Sequence, residues 1–194
     1  MVTPVSAEWS PETTRHSRAQ NSRAQNSRAQ NAADVVGTVV DPEMPMLTLA
    51  DLGVVRSVEV CDGDRAVTVT ITPTYSGCPA LEEMRADLRT ALADAGYRQV
   101  EVRTVFSPPW STDWITEDGR RKLAEAGVAP PGRVSAPTAG PIPLTLDPPS
   151  SSAVRCPHCG APATEELSRF GPTACTELRR CPACREPFEH MKEI

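Results

Sequence analysis

The sequence predicts an α/β (α+β) chain in two parts: a small α-β-β-α-β-α domain with a mixed three-stranded sheet, followed by a small zinc-ribbon module. Three observations predict it. Apolar residues alternate with period two in "VVRSVEV", "RAVTVTIT" and "RQVEVRTV", a helical period lies between the second and third of these, and two C-x-x-C pairs stand near the C-terminus.

The chain begins with a polar stretch and three copies of SRAQN over residues 17–31. A five-residue period advances about 500° around a helix, so identical side chains scatter around the axis and build no apolar face. Residues 1–31 are therefore expected to be a disordered, solvated tail. Its arginines, Arg15, Arg18, Arg23 and Arg28, lack an amphipathic face and are interrupted by Glu8 and Glu12, which argues against a transit peptide. From Ala32, "AADVVGTVV" reads as a short helical remnant, closed by the two prolines of "DPEMP". The first two alternating runs, joined by the turn residues of "CDGD", form a hairpin in which Val58 and Val60 share a face with Val67, Val69 and Ile71.

In "PALEEMRADLRTALADAG" the residues Leu81, Met84, Leu88, Ala91, Leu92 and Ala95 recur at helical spacing, with Pro79 suited to the first helical position and Gly96 to the C-terminal cap. A third strand follows, then a short helix in "DWITEDGRRKLAEAG", for which Thr112 or Asp113 could serve as cap. Trp110 and Trp114, beside a proline turn, suit either core closure or a partner interface. The domain spans 32–127. Residues 128–153, with seven prolines and no apolar period, read as a flexible linker to a module at 154–194.

Cys156/Cys159 and Cys181/Cys184 are separated by 21 residues. Each C-x-x-C turn aims two thiolates at one point, and four thiolates satisfy tetrahedral zinc. So short a module buries little core, and its metal supplies folding free energy on the order of 10 kcal/mol. Rubredoxin-like sites also use paired C-x-x-C turns, so iron stays open here. Cys175 reads as packing near this site or as a free thiol, and His158 and His190 as exposed bystanders. With four thiolates committed, no open coordination position is implied for hydrolysis.

Placing Pro79 at the first helical position makes Cys78 the N-cap, where unpaired N–H groups and the helix dipole favour a thiolate, with Glu82 and Glu83 opposing it. Cys78 is then either a reactive or metal-handling thiol or a small buried residue; Cys61 looks incidental. A formal charge of −5 argues against chain-wide attraction to nucleic acid, and the ribbon module holds six Lys+Arg against six Asp+Glu. Only Arg179, Arg180 and Arg185 suggest a basic patch there. No secretory signal and no long apolar run occur, so the cytoplasm is the expected compartment, without a membrane role. No phosphate loop, paired histidines or nucleophile triad points to an enzyme in its own right.

With "DPEMP", "LTLADLGVV", "TPTYSGCPA" and "SPPWSTDWIT" in order, ahead of a four-cysteine ribbon, the chain resembles the PaaD (PaaJ) subunits of bacterial phenylacetyl-CoA epoxidase systems over about 34–127 and 154–194. The first part resembles the wider SufT-like family of iron-sulfur assembly domains. In that family an acidic segment and a cysteine before a helix recur, and Asp41, Glu43, Thr74 and Cys78 stand at those positions. The resemblance implies an accessory subunit in phenylacetate degradation that assists delivery or maturation of an iron or iron-sulfur centre, with the other oxygenase subunits as partners. It departs in the first helix, which is longer and more apolar in relatives. A purely structural subunit and a nucleic-acid-binding ribbon are the alternatives; a thiol–disulfide enzyme ranks below both because Cys78 has no C-x-x-C partner. Whether the chain forms a homodimer is left open.

Overall fold

The computed structural model describes residues 27–61, 66–132 and 154–193. The first helix, α1, covers residues 27–37 and so begins inside the third SRAQN repeat, not at Ala32. Its start is fixed by tertiary contact: the Tyr97 hydroxyl donates to the Arg28 carbonyl at 2.7 Å and lies 3.4 Å from Asn31 Oδ1. The Gln30 amide adds a bond to Asp34 Oδ1. Ala32 and Val36, one turn apart, are buried. The remainder of the expected tail, residues 1–26, lies outside the described residues, as do residues 62–64 of the "CDGD" turn and most of the proline-rich segment.

Strands β1 (Val55–Cys61) and β2 (Ala66–Ile71) pair antiparallel, with Val58 opposite Val69 and Val60 opposite Val67. Helix α2 (Leu81–Asp94) then crosses over to β3 (Gln99–Thr104), which runs parallel to β2, giving the order β1-β2-β3. The buried stripe Met84, Leu88 and Leu92 of α2 covers Val67, Val69 and Ile71 of β2 and Val102 of β3. Leu47, Leu49, Leu52 and Val54, from the irregular segment before β1, fill the same core. Gly96 ends α2 at φ 90°: its N–H donates to Ala93, and Tyr97 N–H to Leu92, the paired bonds of a Schellman cap.

The last helix of this domain is shorter than the sequence suggests. Thr112–Trp114 is one 3-10 turn, capped not by Thr112 or Asp113 but by Ser111, whose hydroxyl accepts from Asp113 N–H. Ile115 is extended, and α3 (Glu117–Glu125) starts anew at Thr116, whose hydroxyl accepts from Gly119 N–H at 2.9 Å. Trp110 closes the core, buried and donating its indole N–H to Leu52 O at 2.9 Å. Trp114 is half-buried under the Arg56 guanidinium, 3.6 Å from the ring centroid. Gly53 lets the backbone pass it: at φ 68°, an added Cβ would stand 2.5 Å from Trp114 O.

The two modules are joined more closely than a flexible linker implies. Directly after α3, β4 (Val128–Ala129) pairs parallel with β7 (Pro187–Met191) at the edge of the ribbon sheet, whose order is β4-β7-β6-β5, with β5 at Glu165–Ser168 and β6 at Thr176–Arg180. Arg120 of α3 secures this exit, donating to Pro131 O at 2.6 Å and Thr112 O at 2.7 Å. Val128, Cys175 and Met191 lie in the same hydrophobic core as the first domain's helices and sheet.

Candidate functional site

The "DPEMP" segment folds back on Asp41. Its Oδ1 accepts from Glu43 N–H at 2.9 Å and Met44 N–H at 2.8 Å, while Asp41 N–H donates to Leu47 O. This is the side-chain turn that Asp forms readily, and it buries the carboxylate. Burial raises the Asp41 carboxyl above its ordinary range despite the two N–H donors. Burial also raises Glu43, and the Asp41 charge adds to the rise.

Cys78 is buried, but it is not the helix cap. The N-cap of α2 is Ala80, and residues 78–80 form the preceding turn, with Cys78 N–H donating to Tyr75 O and Cys78 O accepting from Leu81 N–H. The expected thiolate is likewise not favoured. Burial pushes the Cys78 thiol up to about 11; the Ala80 N–H pulls it down, and Glu43, Asp41 and Cys175 push it further up. The structure thus brings Cys78, Asp41 and Glu43 within electrostatic reach of one another. Thr74 is buried on the same loop but shares none of these links.

In the ribbon, the four cysteine sulfurs lie within 4.8 Å of one another. Cys156 and Cys184 are 3.7 Å apart, and Cys159 and Cys181 3.6 Å. Zn–S bonds of ~2.3 Å give a regular tetrahedron with edges of ~3.8 Å, so the residues fit the ion. Both knuckles are built alike: Gly160 N–H donates to Cys156 O and Arg185 N–H to Cys181 O, with Gly160 at φ 75° and Arg185 at φ 67°. N–H groups of Cys184 and Ala183 lower the Cys181 thiol to about 7, against the effect of burial.

Neither ribbon histidine is among these ligands. His158 packs edge-on to Phe188 and against Gly127, which ties the first knuckle to the end of α3. His190 is buried rather than exposed: its Nδ1 meets Glu177 Oε1 at 2.9 Å, and Arg179 Nη1 meets the same oxygen at 2.7 Å. Burial raises Glu177, but Arg179 and His190 outweigh it and leave its carboxyl below the usual range. Of the three arginines near the second knuckle, Arg179 is therefore spent internally and Arg180 pairs with Glu165 at 2.8 Å.

Cys175, expected to pack near the zinc site or to stand as a free thiol, lies in the first domain's core and not in the cluster around Cys156 and Cys181. It is buried beside the first domain, with its sulfur 3.1 Å from the Thr173 hydroxyl. Burial raises its thiol, Thr173 opposes, and Glu43 and Asp41 raise it further.

Residues 30–103 match the family described as "Iron-sulfur cluster assembly protein", and residues 143–192 the family described as "PaaD zinc beta ribbon domain". A relative from Escherichia coli (strain K12), described as a subunit of a 1,2-phenylacetyl-CoA epoxidase, is 42% identical over 160 residues, covering 82% of this chain and 90% of its own. An Fe-S protein maturation auxiliary factor of Porphyromonas gingivalis (strain ATCC BAA-308 / W83) is 36% identical over 87 residues, covering 44% of this chain and 81% of its own. SufT of Staphylococcus aureus (strain USA300), with the same description, is 37% identical over 79 residues, covering 40% and 88%. With a SufT-like domain ahead of a four-cysteine ribbon, and this identity sustained across both, the chain belongs to the PaaD family.

Proposed function

We propose that this protein is an accessory subunit of a phenylacetyl-CoA 1,2-epoxidase, which assists delivery or maturation of an iron or iron-sulfur centre in another subunit. The observation that carries this reading is buried Cys78 and buried Asp41, with half-buried Glu43 beside Asp41 in the same turn, set in a domain that matches iron-sulfur assembly proteins. A thiol kept protonated by burial and acidic neighbours is a poor nucleophile but an adequate soft ligand once a cation displaces its proton. Asp41 hydrogen-bonds only through Oδ1, so its second oxygen stays uncommitted among the described residues. Iron is cargo in this reading, not a resident cofactor.

The ribbon holds structural zinc through Cys156, Cys159, Cys181 and Cys184 and presents a docking face. Leu167 and Phe170 are exposed, the latter by 79%, with the Lys192 ammonium near its ring at 5.4 Å. Internal pairing of Arg179 and Arg180 supports a protein client over nucleic acid. No helix among the described residues is long and apolar enough to cross a membrane.

Expression of the oxygenase components with and without this protein tests the reading, by their iron, sulfide and epoxidation activity. Lower metal content and activity without it, and with Cys78→Ser, are expected. Equal metal and equal activity would overturn it. Stoichiometric co-purification with Cys78 dispensable would favour a purely structural subunit.

A further inference from the structure

The two edges of the first sheet differ. Strand β1 ends it on one side with a break in register between Val55 and Ser57, and there the Arg56 guanidinium is held over the Trp114 ring. A bulge and a charge are devices that keep an edge from pairing. Strand β3 ends the sheet on the other side without bulge or proline, its register against β2 unbroken from Gln99 to Thr104. Backbone groups alternate sides along a strand, and Val105 N–H donates to Ile71 O of β2 at 2.9 Å. The N–H and C=O groups of Val100, Val102 and Thr104 therefore point away from β2, and no backbone partner meets them among the described residues.

The side chains of β3 divide by face. Val102 is buried in the core beneath α2, while Glu101 and Arg103 stand on the open face, 56% and 60% exposed. Two hydrogen bonds of 2.8 Å, from Arg103 Nε to Glu101 Oε1 and from Arg103 Nη2 to Glu101 Oε2, hold this pair upright on the sheet.

We infer that β3 is a self-pairing edge: two copies of this chain join β3 to β3, antiparallel about a two-fold axis at Val102, and so merge their sheets into one. In this register Val102 lies opposite the partner's Val102 and Val100 opposite the partner's Thr104. These are the hydrogen-bonded pairs, they use the groups that point outward, and they make about six backbone bonds in all. Glu101 then lies opposite the partner's Arg103, and Arg103 opposite the partner's Glu101. Both fall at non-hydrogen-bonded positions, where side chains on one face approach most closely and opposite charges favour pairing. The order Glu-Val-Arg is complementary to itself when reversed about its middle residue, as an interface with the same patch on both subunits requires. Slipping one strand by two residues in either direction sets Glu101 opposite the partner's Glu101 or Arg103 opposite the partner's Arg103, which opposes those registers. A strand from a different protein would have to carry the same two charges at the same spacing.

The axis stands perpendicular to the merged sheet, so both α2 helices lie on one face. The loops that follow β2, each with its Cys78, lie at opposite ends. The pairing is independent of what Cys78 does.

The test uses the full chain with zinc retained in the ribbon. Sedimentation from micromolar to millimolar concentration should show a monomer–dimer equilibrium, and amide hydrogen exchange should locate the contact. In the monomer the amides of Glu101, Arg103 and Val105 are protected and those of Val100, Val102 and Thr104 are not; the second set should gain protection as concentration rises. Glu101→Arg and Arg103→Glu change exposed positions and should leave the fold intact, yet each should weaken dimerisation about tenfold or more by setting like charges opposite one another. The two variants mixed in equal amounts should pair again as a heterodimer, a rescue that a folding defect does not produce. A chain that stays monomeric, with Val100, Val102 and Thr104 exchanging freely at every concentration, overturns the inference. A dimer that both variants leave unchanged overturns it as well. Protection of those amides that does not vary with concentration assigns the edge to another segment of this chain, and protection that arises only with oxygenase subunits present assigns it to a client strand; either result overturns self-pairing. The exchange pattern of the unaltered chain decides even where a variant fails to fold.

Discussion

Lys122 of α3 meets Asp51 across 71 positions of sequence, Nζ to Oδ2 at 2.8 Å. The same Oδ2 accepts from Thr48 N–H, while Asp51 N–H donates back to the Thr48 hydroxyl. Burial raises the Asp51 carboxyl, but Lys122 and both Thr48 groups outweigh it and hold the carboxyl below its ordinary value. A lowered folded value means the stabilisation is complete above the ordinary carboxylate range near pH 4 and is lost as pH falls through the folded value. Asp51→Ala should cost on the order of 2 kcal/mol at pH 7, through the lost turn bonds as well as the ion pair. Lys122→Met, which keeps the aliphatic stem, should cost less, and its deficit should vanish in acid. Urea unfolding at pH 7 and at successively lower pH below 4 checks both; a Lys122→Met deficit that does not shrink as pH falls would contradict the electrostatic account.

The Cys78 thiol, pushed up to about 11 from 9.0, carries ~100-fold less thiolate at pH 8 than an unshifted cysteine. Iodoacetamide should therefore label exposed Cys61 well before Cys78. Time-resolved mass spectrometry of peptides decides it, and equal labelling rates at pH 8 would show that Cys78 is neither buried nor suppressed.

Removal of the ribbon metal should unfold β5–β7, because metal binding contributes on the order of 10 kcal/mol to folding of such modules. The effect should reach the first domain selectively: amide signals of Val128, Ala129 and the loop carrying Cys78 should move, while those of β2 and α2 stay. Two-dimensional NMR before and after chelation measures this, and an unchanged Cys78 loop would mean the modules are uncoupled.

The two knuckles predict opposite responses at matching positions. Gly160 stands at φ 75° with nothing within 4 Å of an added Cβ, so Gly160→Ala should cost about 1 kcal/mol from backbone conformation alone. Arg185→Gly, at φ 67°, should be close to neutral, as relief at the backbone offsets the added freedom of the unfolded chain. Competition of each variant with a zinc chelator reads both effects.

A buried hydroxyl offers a stabilising change. Thr72 Oγ1 has no hydrogen-bond partner among the described residues, so Thr72→Val should raise stability by about 1 kcal/mol. An unfolding midpoint below that of the parent would indicate that the hydroxyl has a partner.

What the sequence made legible was whatever rests on local periodicity or local spacing. The α2 stripe, the β1–β2 hairpin and the clustering of the four ribbon cysteines each arise from residues close in the chain, and the structure places them as read. The two-residue offset at Cys78 comes from Pro79, whose fixed φ suits a turn before a helix as well as its first residue. The start of α1 is hidden because the repeat has no apolar period, and Tyr97, far along the chain, fixes it. Strand β4 is two residues long among prolines and is defined only by its partner β7. The burial of Cys175 in the first domain's core is illegible for the same reason: it depends on the packing of one module on the other.

The pairing of β4 with β7 also changes what the proline-rich segment is for. Gly132, whose N–H reaches Glu193 Oε1, is already docked on the second module before that segment begins. The sequence of residues 133–153 thus links two modules that the pairing of β4 with β7 already joins. The number of residues in that link can change, at little cost in closure entropy, while β4 stays paired with β7.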